Sequence, residues 1–158
     1  MSLQVWLPFN GNLYNQGLSN ISSTMGSNCL LSTSGKIGKC LSATAASANT
    51  VTITLSNLAE LLANGKQYSL ACWVKATGTN ASGWVIKLGS NSCGLWWGKS
   101  EARWVWNEND NGKRCANPTI SSDYTNWHHL VTTIDKTNPS AIIAKHYVDG
   151  LPAEGYAS

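Results

Sequence analysis

Charge is scarce in this chain: Asp, Glu, Lys and Arg supply 12% of its 158 residues, where an ordinary globular protein carries about 25%. The basic residues are scattered from Lys36 to Lys145 and nowhere form a tract able to neutralise a row of phosphates. That argues against a nucleic-acid partner. Long apolar runs are absent too, and without about 18 consecutive apolar residues no membrane-spanning helix is expected. The opening Met1 to Asn10 has neither a cationic stretch nor an extended apolar core, so no secretory signal is expected either. No Gly-x-Ser-x-Gly elbow and no Gly-rich phosphate loop occurs. The five cysteines contain no C-x-x-C spacing of the kind that holds a metal or forms a redox pair. An odd number cannot all pair within one molecule, and mostly free thiols made in a reducing cytoplasm are expected. Cys40 and Cys72 sit in strand-like contexts as buried small hydrophobes, whereas Cys93 and Cys115 lie in loop-like surroundings, exposed or paired.

What replaces charge is Gly, Ser, Thr and Asn, together with eight tryptophans. Such a surface offers neutral donors and acceptors, which suit neutral ligands such as sugars. The length is that of one domain with one core, so residues 1–158 are expected to form a single domain without linker or repeat.

Alternation of apolar and polar residues dominates the pattern. In Trp127 to Asp135, Leu130, Thr132 and Ile134 fall on one strand face and His129, Val131 and Thr133 on the other. A Lys-Thr-Asn-Pro-Ser connection leads to Ala144 to Gly150, and the two runs read as an antiparallel hairpin. Leu3 to Leu7, Val51 to Leu55 and Tyr68 to Lys75 are further strands. Leu58 to Ala63 is one or two helical turns, stopped by Asn64-Gly65. Trp84 to Leu88, Cys93 to Trp97 and Arg103 to Trp106 form an antiparallel meander with hairpin-length connections, followed by a polar loop from Asn107 to Lys113.

Four sequence words carry a resemblance. Trp127-x-His129-Leu130-Val131 with Tyr147-Val148-x-Gly150, Gly35-x-x-Gly38-x-Cys40-Leu41, and Tyr68-Ser69-Leu70-x-x-Trp73-Val74 resemble the strands of laminin-G-like domains in the concanavalin A-like lectin/glucanase superfamily. The resemblance covers nearly the whole chain and implies an all-β fold: a two-sheet antiparallel β-sandwich of the jelly-roll, concanavalin A-like type. It places Trp73 and Trp127 in the core. It also implies that family domains continue beyond the Tyr-x-x-Gly turn, so the chain is expected to lack its last strands. A homo-oligomer or a swapped dimer through that C-terminal edge would cover the unpaired backbone. Leu3 to Gly11 with Asn15-Gln16-Gly17-Leu18-Ser19 resembles phage-borne versions, which implies synthesis in a bacterial cytoplasm and display on the virion.

Tryptophan both stacks on pyranose rings and fills cores. Trp97, Trp104 and Trp106 are the candidates for an exposed aromatic platform, with Trp104 and Trp106 on one strand face and Trp96 and Trp97 on opposite faces. His128 and His129 diverge along a strand, and His146 on the neighbouring strand approaches one of them across the hairpin, a pairing that is more often structural than metal-binding. Glucanases of the superfamily place their acids in a Glu-x-Asp-x-x-Glu run. Here Glu108-Asn109-Asp110 is followed by Lys113 at the third acidic position, so catalysis is not expected. Glu108 and Asp110, with Asn109 and Asn111, offer hard oxygen ligands for calcium, the one cofactor the resemblance suggests. Two Asn-x-Ser sequons, at Asn20 and Asn80, matter only in a eukaryotic secretory pathway.

The expected function is therefore non-catalytic recognition of carbohydrate or a cell-surface receptor. The alternatives are a structural or assembly domain of a phage or bacterial surface protein, and a glucanase-like glycoside hydrolase.

Overall fold

The computed structural model describes residues 3–32, 34–43, 50–76, 83–89, 93–98, 103–108, 113–116, 125–152 and 154–157. Among them, strands account for every regular element except one helical turn, α1 (Leu58–Leu61), and no helix is long and apolar enough to cross a membrane. The chain divides into two compact units, Met1–Glu60 and Leu61–Ser158.

In the first unit, β1 (Ile21–Met25) pairs antiparallel with β4 (Val51–Leu55), and β2 (Cys29–Ser32) with β3 (Cys40–Ala43). Cys29 is buried in this unit while Cys40 is only half-buried. The expected strand from Leu3 to Leu7 does not form. Its residues instead bond to an irregular segment, Gln16 N–H to the Trp6 carbonyl, Leu18 N–H to that of Leu3 and Ser19 N–H to that of Gln4. The cause is Asn15. Its Oδ1 accepts from the Trp6 and Gly17 amides at 2.6 and 2.9 Å, and its Nδ2 donates to the Gln4 and Ser19 carbonyls at 3.0 and 2.7 Å. One side chain thus takes the partners that a neighbouring strand would have supplied. Asn15→Ala is expected to destabilise this unit by about 2 kcal/mol, since several backbone groups lose their partner at once. Thermal unfolding of the two proteins in parallel checks it.

The second unit is a two-sheet sandwich. One sheet has the order β12-β11-β10-β5, from β5 (Gln67–Val74), β10 (His128–Asp135), β11 (Ile143–Val148) and β12 (Leu151–Pro152). The other runs β13-β9-β8-β7-β6, from β6 (Gly83–Leu88), β7 (Cys93–Gly98), β8 (Arg103–Glu108), β9 (Lys113–Ala116) and β13 (Glu154–Ala157). Every pairing is antiparallel.

Strand β10 shows why the layers close. Its residues alternate between buried and half-buried along all eight positions, with His128, Leu130, Thr132 and Ile134 inward. Leu130, Ile134 and Val148 from this sheet meet Leu95 of β7 and Ile142, and Tyr68, Leu70, Cys72, Val74, Val85, Ile86 and Leu88 pack against that cluster. Each fully buried aliphatic side chain contributes roughly 1.5–3 kcal/mol, which is what holds two sheets face to face. Cys72 belongs to this inner face, and burial pushes its thiol up to about 12, so it is an inert hydrophobe.

The same alternation corrects one expectation. With Tyr68, Leu70, Cys72 and Val74 turned inward, Trp73 points out of the sandwich and is 43% exposed. Trp127, just ahead of β10, is half-buried rather than core.

Candidate functional site

The outward face of the four-stranded sheet is set by register. Trp73 stands opposite His129, Ala71 opposite Val131, and Ser69 opposite Thr133; across the other side of β10, Val131 meets Tyr147 and Thr133 meets Lys145. The face therefore grades from aromatic at the start of β10 to hydroxyl- and amide-bearing at its end, where Gln67 lies opposite Asp135.

At the aromatic end the Trp73 and His129 rings stack, with centroids 4.9 Å apart and planes inclined by 29°. Beside them Lys75 places its Nζ 5.5 Å from the centre of the Trp127 ring, a cation–π distance. At the polar end Asp135 accepts from the Thr137 hydroxyl and amide and from Gln67 Nε2. These bonds, Thr137's hydroxyl first, hold its carboxyl below the ordinary range.

The β11–β12 turn closes the aromatic end. Asp149 and Gly150 both have positive φ, 52° and 81°, the backbone of a two-residue type I′ hairpin for which Asp-Gly is suited. From there Asp149 Oδ2 reaches His128 Nδ1 at 2.7 Å and Oδ1 accepts from the His129 amide at 2.9 Å. Partial burial raises the Asp149 carboxyl, but the His128 hydrogen bond, the His129 amide and both imidazoles outweigh it and hold it low. An ionised carboxylate only accepts, so His128 Nδ1 carries the proton.

The third histidine does not approach the other two. His146 stands opposite Thr132, and its Nδ1 lies 2.8 Å from the Thr132 hydroxyl inside the sandwich. Its Nε2 has no hydrogen-bond partner among the described residues. Burial pulls this imidazole down to about 4, against a weaker upward pull from the Val131 backbone, so it is neutral at pH 7.

The tryptophans singled out from the sequence lie in the other sheet. Trp97 is the cross-strand partner of Trp104, and Trp106 stands between Leu95 and Cys115. By register these three positions share the alternation set of Leu95, while Trp96 falls in the set of Trp84. Trp84 is 38% exposed and has Lys87 Nζ 5.9 Å from its ring centre. Glu108 closes β8 opposite Cys93 and Lys113, and Asp110 lies outside the described residues. No group of three or more His, Cys, Asp or Glu side chains stands together among the described residues.

In the first unit a shallow cleft of about 330 Å3 is lined by neutral residues, including Tyr14, Asn15, Asn20 and Ser23. Both polar atoms of Asn15 are already spent on backbone partners.

The Trp73–His129 stack was not singled out from the sequence, although a signal for it exists. Gln67, Ser69 and Ala71 share the alternation set of Trp73, and that set is the less apolar one. A laminin-G-type family model, described as the concanavalin A-like lectin/glucanases superfamily, matches residues 47–158. No curated protein and no solved structure matches the chain.

Proposed function

Because the chain belongs to the concanavalin A-like lectin/glucanases superfamily, we propose that it is a non-catalytic recognition module that binds carbohydrate on the outward face of its four-stranded sheet. The observation that carries this reading is the Trp73–His129 stack: a large indole, 43% exposed, on a strand whose outward face runs on through Ala71 and Val131 to Ser69, Thr133 and Gln67. Indole faces attract the apolar C–H side of a pyranose, and Ser69, Thr133 and Gln67, roughly 13–20 Å along the strands, offer uncharged partners to the hydroxyls of further units of an oligosaccharide. The carboxylates of this sheet support binding rather than hydrolysis. Asp135 and Asp149 stand at opposite ends of β10, roughly 20 Å apart at about 3.3 Å per residue, whereas glycosidases need their pair within about 5–9.5 Å.

A glycan array followed by calorimetry on its hits tests the proposal. Trp73→Ala is expected to weaken binding at least tenfold, about 1.4 kcal/mol, with the fold retained because an outward side chain is removed. Trp97→Ala, Trp104→Ala and Trp106→Ala serve as the comparison. Binding lost in those three and kept in Trp73→Ala would move the site to the five-stranded sheet. An array without hits, for a protein that still assembles, would leave the structural-module reading in its place.

A further inference from the structure

We propose that Asp149 is a positioning residue for the recognition face: bridging His128 and His129 from the β11–β12 turn, its carboxylate fixes the start of β10 and with it the His129 ring against Trp73. This inference rests on the reading of that face as the binding surface, but its physical core stands apart from any ligand.

The geometry is specific. His129 is held on the β11 side by both of its backbone groups, its N–H by Asp149 Oδ1 and its carbonyl by the Asp149 N–H, each at 2.9 Å. On the β5 side the same residue is in register with Trp73. Oδ2 meanwhile anchors the His128 ring, which is turned into the sandwich and only 4% exposed. One carboxylate therefore ties an inward and an outward residue at the first two positions of the strand. Strand ends fray where nothing holds their outermost amides, and this one is held at both positions.

The turn alone does not require Asp. At positive φ Asn or Gly serves a type I′ hairpin as well, and Gly150 beside it has open space around its α-carbon. What Asp adds is a charged double acceptor, and charge-assisted hydrogen bonds are roughly twice as strong as neutral ones. That separates the carboxylate's role from the turn's.

The test uses the full chain and two variants that keep the turn, Asp149→Gly and Asp149→Asn. Proton NMR reads the His129 ring resonances, which the Trp73 ring current displaces when the two are stacked, and hydrogen exchange reads the His129 amide. In Asp149→Gly the ring-current displacement is expected to fall by more than half while the Thr132 and Ile134 amides keep their protection. In Asp149→Asn, which keeps a neutral oxygen for the amide, the displacement is largely retained and the His129 amide exchanges at least tenfold faster. His129 resonances unchanged in Asp149→Gly would overturn the proposal. Should that variant not fold, an unchanged His129 amide in Asp149→Asn would overturn it. The glycan array run on the same proteins keeps the two ideas apart: no hits with the wild type, alongside the expected NMR changes, would remove the carbohydrate reading and leave Asp149 as the residue that positions this face.

Discussion

Acidification from pH 7 to pH 4 is expected to remove about 3 kcal/mol of folding stability through His146 alone. Its imidazole titrates near 4 in the folded protein, below the ordinary value of 6.5, because burial disfavours the charged ring. Between those values the unfolded chain takes up a proton that the folded chain refuses. Stability therefore falls with falling pH across this window and levels off below it, at about 1.4 kcal/mol for each unit of displacement. The depressed carboxyls, Asp149 and Asp135, act in a separate window. Their contribution is present above the ordinary carboxylate range and is lost only as the pH falls through it and below.

The two windows make the prediction specific to one residue. Urea unfolding of the wild type between pH 7 and pH 4 should show the loss, and His146→Gln, neutral throughout, should flatten it while leaving the acid limb below pH 4 in place. An unchanged slope in that variant would show that some other group takes up the proton. The physical root is the Thr132–His146 pair, which puts two polar side chains among the apolar residues of the sheet's inner face and leaves Nε2 without a hydrogen-bond partner among the described residues. Such a group is tolerated neutral and costs several kcal/mol when charged.

How much of this was legible in the residues varies with the length of the reach involved. The β10–β11 hairpin follows from period-two alternation, and Leu130, Thr132 and Ile134 lie inward as that pattern requires. The Trp-bearing meander of β6, β7 and β8 was equally plain. β1, with the sequence ISSTM, and β9, with KRCA, carry too little apolar alternation to announce themselves, and β9 begins inside what reads as a polar loop. Trp73 was misplaced for an instructive reason. The strand word it belongs to suggested a core position, yet the side chains two and four residues before it, Ala71 and Ser69, already marked its face as the outer one. The reach of Asp149 to His128, 21 residues back, depends on register between strands. No local pattern encodes that distance.

Gly94→Ala is expected to be strongly damaging, costing roughly 3–5 kcal/mol where Gly150→Ala costs about 1–2 kcal/mol. Both glycines have positive φ, 149° at Gly94 and 81° at Gly150, so both substitutions strain the backbone. They differ in space. A β-carbon at Gly150 meets nothing within 4 Å, whereas one at Gly94 would overlap the Ile86 carbonyl oxygen and stand 3.0 Å from its carbon and 3.1 Å from Lys87 Cα. Those neighbours are backbone and cannot rotate away. They lie next to the point where the β6–β7 register shifts between Trp84 and Ile86, a bulge in β6. The next residue, Leu95, is fully buried against Leu130, Ile134 and Val148. Forcing β7 off β6 thus moves a core leucine, and the two sheets lose contact at their centre. Urea denaturation of both variants decides the matter. Equal midpoints would mean that β6 yields freely at the bulge, and the packing of Leu95 would then tolerate a shift in the strand that carries it.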